Sequence, residues 1–223
     1  MATKNIITID GPSGSGKGTV SRAVAAELGW RFLDSGALYR ILALAAQQSG
    51  LEEPAAIARL AEKLAIDFAQ TETGDEQILL NGADITPQVR AEETGNAASK
   101  IAAEPVIRQA LVSLQQAFCG PQGLVADGRD MGTVIFPQAR LKIFLTASVA
   151  ERAQRRHKQL NNKGNSGNLD NLFREISERD KRDAQRAVSP LVPAPDAVTL
   201  DTTGVPVADV IEKVLGLART RFG

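Results

Sequence analysis

The first apolar run, Ile6-Ile7-Thr8-Ile9, is short and rich in β-branched residues, and it ends at Asp10. Such a run fits a strand covered on both faces. The period then changes. Beyond a polar loop, Val20, Val24 and Leu28 recur at i, i+4 and i+8, predicting a helix over 17–28 that Gly29 stops. The same alternation returns along the chain. Residues 30–33 read as a strand, 37–48 as a helix, and 54–65 as a helix with Pro54 in its first turn. Further on, 105–118 reads as helix, 124–126 and 141–145 as strands, 149–160 and 169–187 as helices, 197–200 as a last strand and 206–219 as a last helix.

One stretch breaks this rhythm. Ile66-Asp67-Phe68-Ala69, Gln77-Ile78-Leu79-Leu80 and Asp84-Ile85 are short runs around turn signals at Thr73-Gly74-Asp75 and Asn81-Gly82. They predict a small antiparallel sheet, and a polar helical stretch over 87–103 follows. Residues 62–102 therefore read as an insertion in a single domain of 1–223, whose core is 1–61 and 103–223. The five remaining strands alternate with helices, which predicts an α/β fold: a five-stranded parallel sheet with helices on both faces. Ligands of such sheets bind beyond the carboxyl ends of the strands. The clusters Asp10-Gly11, Asp34-Ser35-Gly36 and Asp127 to Asp130 are all expected there.

Composition works mainly by exclusion. The 223 residues carry 26 basic and 26 acidic side chains, a net charge of zero. That argues against a general nucleic-acid or membrane-surface binder. No apolar run approaches the ~20 residues of a membrane span, and the run 6–9 is too short for a secretory signal. The single cysteine, Cys119, permits no intrachain disulfide. A cytoplasmic protein is the expectation, monomeric because no coiled-coil heptads occur. Cys119 is expected to be buried at a helix end, and His157, the one histidine, to face solvent.

The loop after the first strand changes the picture most. Gly11-Pro12-Ser13-Gly14-Ser15-Gly16-Lys17-Gly18-Thr19 joins strand to helix. Strand, glycine-rich loop, lysine and helix form the P-loop arrangement. Its glycines allow a sharp turn with backbone N–H groups aimed at a polyphosphate, and the helix end and Lys17 add positive charge. These nine residues are the candidate nucleotide site. Gly18 stands where many P-loops place a hydroxyl that ligates Mg²⁺, and the hydroxyl arrives one residue later, at Thr19. The expectation is therefore a Mg²⁺ held through phosphates and waters, with no metal ligand of the protein's own. Asp10 either orients those waters or caps the loop.

The arginines extend the reading. Arg152, Arg155 and Arg156 stand at i, i+3 and i+4 on one predicted helix; Arg179, Arg182 and Arg186 stand at i, i+3 and i+7 on the next. Residues 161–168, with four Asn and two Gly, join them as a mobile loop. Taken alone, this is also a solvated helix pair, neutralised by Glu151, Glu175, Glu178, Asp180 and Asp183. Beside a P-loop it reads as an arginine lid over 152–186, closing on a polyphosphate and excluding water.

These residues resemble a known family. The loop 11–19, with glycine after its lysine, is similar to that of the nucleoside monophosphate kinases. Leu33-Asp34-Ser35-Gly36-Ala37-Leu38-Tyr39-Arg40, Ala126-Asp127-Gly128-Arg129-Asp130-Met131-Gly132-Thr133-Val134, and Glu178-Arg179-Asp180 through Arg186-Ala187 resemble the bacterial cytidylate kinases. The resemblance spans about residues 5–220 and implies ATP and Mg²⁺ acting on CMP or dCMP. By resemblance, Arg40 and Arg129 hold the acceptor phosphate, with Ser35, Arg179 and Arg186. Lys17, Arg155 and Arg156 attend the donor phosphates and the developing charge, and Arg182 of the lid counts with them among the catalytic residues. Asp130, Arg108 and Ser99 read the cytosine edge, and Asp183 accepts from sugar hydroxyls. The rivals are a kinase for another small acceptor, such as UMP or shikimate, and a P-loop ATPase or regulator that transfers nothing.

Overall fold

The computed structural model of the chain describes residues 5–70, 76–162 and 167–223. The turn expected at Thr73-Gly74-Asp75 and the middle of the expected loop, residues 163–166, lie outside the described residues. In chain order the elements are β1 (Ile6–Asp10), α1 (Lys17–Leu28), β2 (Arg31–Asp34), α2 (Ser35–Gln48) and α3 (Pro54–Ala61). Then come β3 (Ile66–Gln70), β4 (Glu76–Leu80), β5 (Ala83–Asp84), α4 (Thr86–Arg90), α5 (Glu92–Ile101) and α6 (Pro105–Ala117). The last part holds β6 (Leu124–Gly128), β7 (Leu141–Thr146), α7 (Val149–Asn162), α8 (Leu169–Ala184), β8 (Val198–Asp201) and α9 (Val207–Phe222).

The chain divides into two compact units. The first is Met1–Asp34 with Gln115–Gly223, the second Ser35–Leu114. The second is wider than the expected insertion 62–102. Its own core explains this: Tyr39, Leu42, Ala43 and Ala46 of α2 pack with Ile57 and Ala61 of α3, Ala98 of α5, and Ile107 and Leu111 of α6. The helical stretch expected over 87–103 is two helices, because Ala91 is extended (φ −63°, ψ 149°) and breaks the run. The small antiparallel sheet of this unit has the order β3-β4-β5.

In the first unit, five strands pair in parallel in the order β2-β6-β1-β7-β8. One face is apolar: Ile7 and Ile9 of β1, Val125 of β6 and Ile143 of β7 pack against Val20 and Val24 of α1 and Val210 and Val214 of α9. Side chains alternate across a strand, so Thr8 and Asp10 point to the opposite face. There the segment Met131–Ile135 forms a wide helical turn, with Ile135 N donating to Asp130 O and Phe136 N to Met131 O. It lies close on β1, since a Cβ at Gly132 would come 2.8 Å from Thr8 Oγ1. Register brings the acidic strand ends level, with Asp34 opposite Asp127 and Asp10 opposite Gly128.

The helix ends carry their signals. Gly29 closes α1 in the left-handed conformation (φ 63°), and Glu53 caps α3 by accepting from Ala55 N and Ala56 N. Asn168 caps α8 by accepting from Asn171 N. Two helices end three or more residues short of the expectation. α3 stops at Ala61, not residue 65, and α8 stops at Ala184, not residue 187. Cys119, expected to be buried, is only partly covered.

Candidate active site

The donor loop is built from backbone constraints. Gly11 has φ +152°, and a Cβ there would sit 2.0 Å from Leu145 O of β7. Only glycine lets the loop leave β1 so close to the neighbouring strand. Gly16 has φ +90° and precedes α1, whose first-turn N–H groups receive no side-chain cap and no acidic residue. They are the positive end of the helix dipole. Lys17 is buried, and its Nζ donates to Pro12 O at 3.1 Å and lies 3.9 Å from Asp127 Oδ1.

Gly18 has a steric reason in this fold. A Cβ there would stand 3.2 Å from Asp127 Oδ2, so a serine would push that carboxylate away. Thr19, which carries the hydroxyl one residue on, is exposed, whereas Ser15 is buried and its Oγ makes no hydrogen bond. Pro12 is buried, Ser13 partly so, and Gly14 is exposed.

The charges around Lys17 oppose one another. Burial pulls its pKa down, Arg129 and Arg179 pull it further, and Asp127 and Asp34 resist. Burial pushes Asp127 up, and Lys17 opposes that. The charges of Arg129 and Arg179 therefore act against that of Lys17, and an anion placed beside Lys17 would favour its charged form.

Asp10, left above between two roles, uses both oxygens on backbone. Oδ1 accepts from Met131 N at 2.9 Å and Oδ2 from Gly132 N at 2.8 Å. It caps the turn Met131–Ile135 rather than the loop after β1, and so ties β1 to the turn that follows Arg129 and Asp130. Burial raises its pKa to about 6, although both N–H groups and Arg129 pull the other way; Asp130 adds to the rise.

Arg129 is held by α8. Its Nε donates to Asp183 Oδ2 at 3.0 Å and its Nη1 to Gly128 O at 3.2 Å. Burial alone would raise the Asp183 pKa, but Arg129, then Arg186 and Arg179, outweigh it and hold the carboxyl below its usual range. Asp130 is buried next to Arg129.

The arginines of the helix pair do not form the uniform faces expected. Arg186 lies beyond the end of α8, so the i, i+7 placement with Arg179 fails; its Nε donates to Asp183 O at 3.2 Å. Proline at 190 and the early end at Ala184 redirect the chain there. Arg182 is exposed and Arg179 partly buried, so the two share no common degree of shelter. Arg155 donates to Glu151 Oε1 at 2.8 Å, to Thr202 Oγ1 and O, and weakly to Ser15 O at 3.4 Å. Arg156 is partly buried, and so is His157, against the solvent-facing expectation.

The second unit holds the other expected residues. Arg40 Nη1 donates to Val89 O and Ala91 O, each at 2.9 Å, and its guanidinium lies against Gly95 of α5. Ser35 starts α2 and is buried. Ser99 is buried and its hydroxyl makes no hydrogen bond. Arg108 Nη1 donates to Ala102 O at 3.1 Å, and its guanidinium stands 5.5 Å from the Tyr39 ring centre.

Sequence reasoning gave no individual role to three residues that the structure places here. Asp127 faces Lys17, and its place in a polar cluster at a strand end was the available signal. Thr202 fastens Ser15 O and Arg155, and no local pattern announces a contact across 187 residues. Arg152, part of the expected arginine face, is instead nearly sealed.

A parallel sheet that opens after its first strand into a glycine-constrained loop, with a buried lysine at the start of the next helix, defines the P-loop kinases, which transfer the terminal phosphoryl group of a nucleotide. Comparison with known proteins narrows the class. Residues 7–220 match the cytidylate kinase family. The cytidylate kinase of Marinomonas sp. (strain MWYL1) is 54% identical over 211 residues, 94% of this chain and 93% of that protein. That of Stutzerimonas stutzeri (strain A1501) is 54% identical over 213 residues, with the same shares. That of Colwellia psychrerythraea (strain 34H / ATCC BAA-681) is 49% identical over 219 residues, 97% of each chain. The chain belongs to the cytidylate kinase family and is a phosphotransferase. No helix among the described residues is long and apolar enough to cross a membrane.

Proposed function

We propose that the chain transfers the γ-phosphoryl group of ATP to CMP or dCMP, giving ADP and CDP or dCDP, as a cytoplasmic monomer that binds neither nucleic acid nor membrane. The observation that carries this reading is the glycine-built donor loop ending at the buried Lys17, with Arg129 fixed by Asp183 in the same unit. Transfer between two phosphates brings two anions together, and positioned cations lower that repulsion. The loop 11–19 takes the ATP phosphates, with Lys17 as their charge partner. Arg129 is assigned to the acceptor phosphate, with Arg179 and Arg186, and Asp183 holds its guanidinium plane while accepting from sugar hydroxyls. Ser35 and Arg40 of the second unit are assigned to the same phosphate. The attacking phosphate oxygen is already an anion, so no general base is required.

Base choice is assigned to Asp130, with Ser99 and Arg108. A carboxylate accepts from the cytosine amino group and repels the uracil oxygen at the same position. The unpartnered, buried hydroxyl of Ser99 suits a polar ligand atom, because buried hydroxyls normally find a partner. Arg155 and Arg156 are assigned to the donor side; the hold of Arg155 on Ser15 O makes it also a brace of the loop.

Mg²⁺ fits the residues present through water. Gly18 offers no hydroxyl and Thr19 is exposed, while Asp127 and Asp34, level at the strand ends, would offer hard oxygen acceptors to its hydration shell. When bound with ATP, the ion would supply charge neutralisation at the transferring group. A coupled assay of ADP release with ATP and CMP, dCMP, UMP or AMP tests the reading. CMP and dCMP are expected to drive release. Release without any acceptor identifies an ATPase and refutes it.

A further inference from the structure

We propose that Arg152 is a positioning residue for phosphoryl transfer, holding the donor loop in register with α8 through Asp180. The inference rests on the ATP:CMP reading above and adds a residue that touches neither nucleotide in it.

Arg152 lies on α7 and is 3% exposed. Its Nε donates to Ala147 O at 2.9 Å. Its Nη1 donates to Ser13 O of the donor loop at 3.0 Å and to Asp180 Oδ1 at 3.1 Å, and its Nη2 to Asp180 Oδ2. One planar guanidinium thus joins the start of α7, the loop and α8. The loop lies directly on it: at Gly14, φ +78°, a Cβ would come 3.1 Å from Arg152 Cβ.

The other end of the device is on α8. Asp180 and Asp183 stand three residues apart, neighbours on one helix face. Asp180 grips Arg152 and hence the donor loop; Asp183 grips Arg129, the residue assigned to the acceptor phosphate. A single helix is therefore fastened to the parts assigned to both phosphates. A buried ion pair is a poor way to gain stability, since well-packed apolar residues often do as well or better. A bidentate fork does fix direction and register, which a lysine ammonium does not. Register matters here because a misplacement of about 1 Å near a reacting centre costs on the order of 100-fold in rate.

The test uses the full-length chain with Asp180→Asn, Arg152→Lys and the double variant. Turnover and KM with ATP and CMP, binding of a fluorescent ATP analogue, the CDP formed per ADP, and thermal melting are measured. Each single variant is expected to lose about 100-fold in kcat, with KM for CMP and ATP-analogue affinity changed by less than about threefold. CDP per ADP falls below one as water intercepts the phosphoryl group. The double variant is no slower than the slower single one, because the two residues act as a unit. Wild-type turnover in Asp180→Asn overturns the proposal, as does a double variant whose loss is the product of the two. A kcat loss that disappears when the variants are assayed well below their melting temperatures also overturns it. If Arg152→Lys does not fold, Asp180→Asn decides alone, its side chain being 24% exposed. A wild-type chain whose ADP release ignores CMP refutes the ATP:CMP reading itself. Normal wild-type transfer with unimpaired variants refutes only the role of Arg152.

Discussion

The donor loop and the α7–α8 helix pair do similar electrostatic work by opposite means. The loop is contiguous, built from backbone, and set by glycine conformations; its charge comes from one lysine and the end of α1. The helix pair uses side chains spread over 35 residues, and each guanidinium has its own environment. Arg152 and Arg155 are turned inward, onto Ser13 O, Ser15 O and Thr202, while Arg182 is exposed. A backbone site tolerates little change at its glycines of positive φ, Gly11, Gly14 and Gly16, because a side chain is strained there. A side-chain site divides its labour: Arg152 and Arg155 brace the loop, while Arg129 is held by Asp183.

The sharpest way to break this comparison lies at the foot of α8. Arg129→Ala is expected to lower turnover with CMP by about 10³-fold, the scale of a transition-state arginine, while sparing ATP binding. Rates near wild type would mean that the side-chain half of the division is wrong. Next is the loop. Gly11→Ala forces a Cβ onto Leu145 O at a strained φ, which costs about 1–3 kcal/mol and is expected to weaken ATP binding about 10- to 100-fold. Equilibrium titration with ATP measures this, and unchanged affinity would show that the loop bends more easily than its glycines imply.

A pH profile probes the joint between the two regions. Asp10 has a folded pKa of about 6 against an unfolded value of 3.8. The folded state holds this proton more tightly, so the stability it contributes is present below 3.8 and is lost as pH rises through 6. Activity runs the other way. The ionised carboxylate accepts from both Met131 N and Gly132 N, so KM for CMP is expected to rise severalfold as pH falls through 6. Asp10→Asn, which replaces one acceptor by a donor, should show the raised KM at neutral pH as well. A KM unmoved by either change would separate Asp10 from the turn that carries Asp130.

The smallest effect is expected at Arg182. Its exposure predicts a stability change within about 0.5 kcal/mol on Arg182→Ala and a smaller loss of turnover than Arg179→Ala. Equal losses from the two would restore the single arginine face that periodicity suggested.

How far the sequence could be read followed the range of the interactions. β1, the loop and α1 are legible because the glycines, Lys17 and the change of period lie within 23 residues, and propensity and packing agree there. The early end of α8 was not, because the last helical turn before Pro190 is governed by where Asp183 and Leu191 meet: Leu191 N donates to Asp183 O. The split of α4 from α5 at Ala91 was equally hidden, since nothing in the side chain of alanine forbids a helix. In the site, the residue types were legible and their partners were not.

Local order, the positions of most strands and helices, the phosphate loop and the membership of Arg129 and Asp130 in one short cluster follow from the chain alone, because they depend on neighbours in sequence. Three other features belong to the folded molecule: the capping of Met131 and Gly132 by Asp10, the grip of Asp183 on Arg129, and the link from Ser13 through Arg152 to Asp180. Each joins groups tens to more than a hundred residues apart. Hydrogen-bond geometry selects such pairs only after the sheet register and helix packing have brought them within about 3 Å.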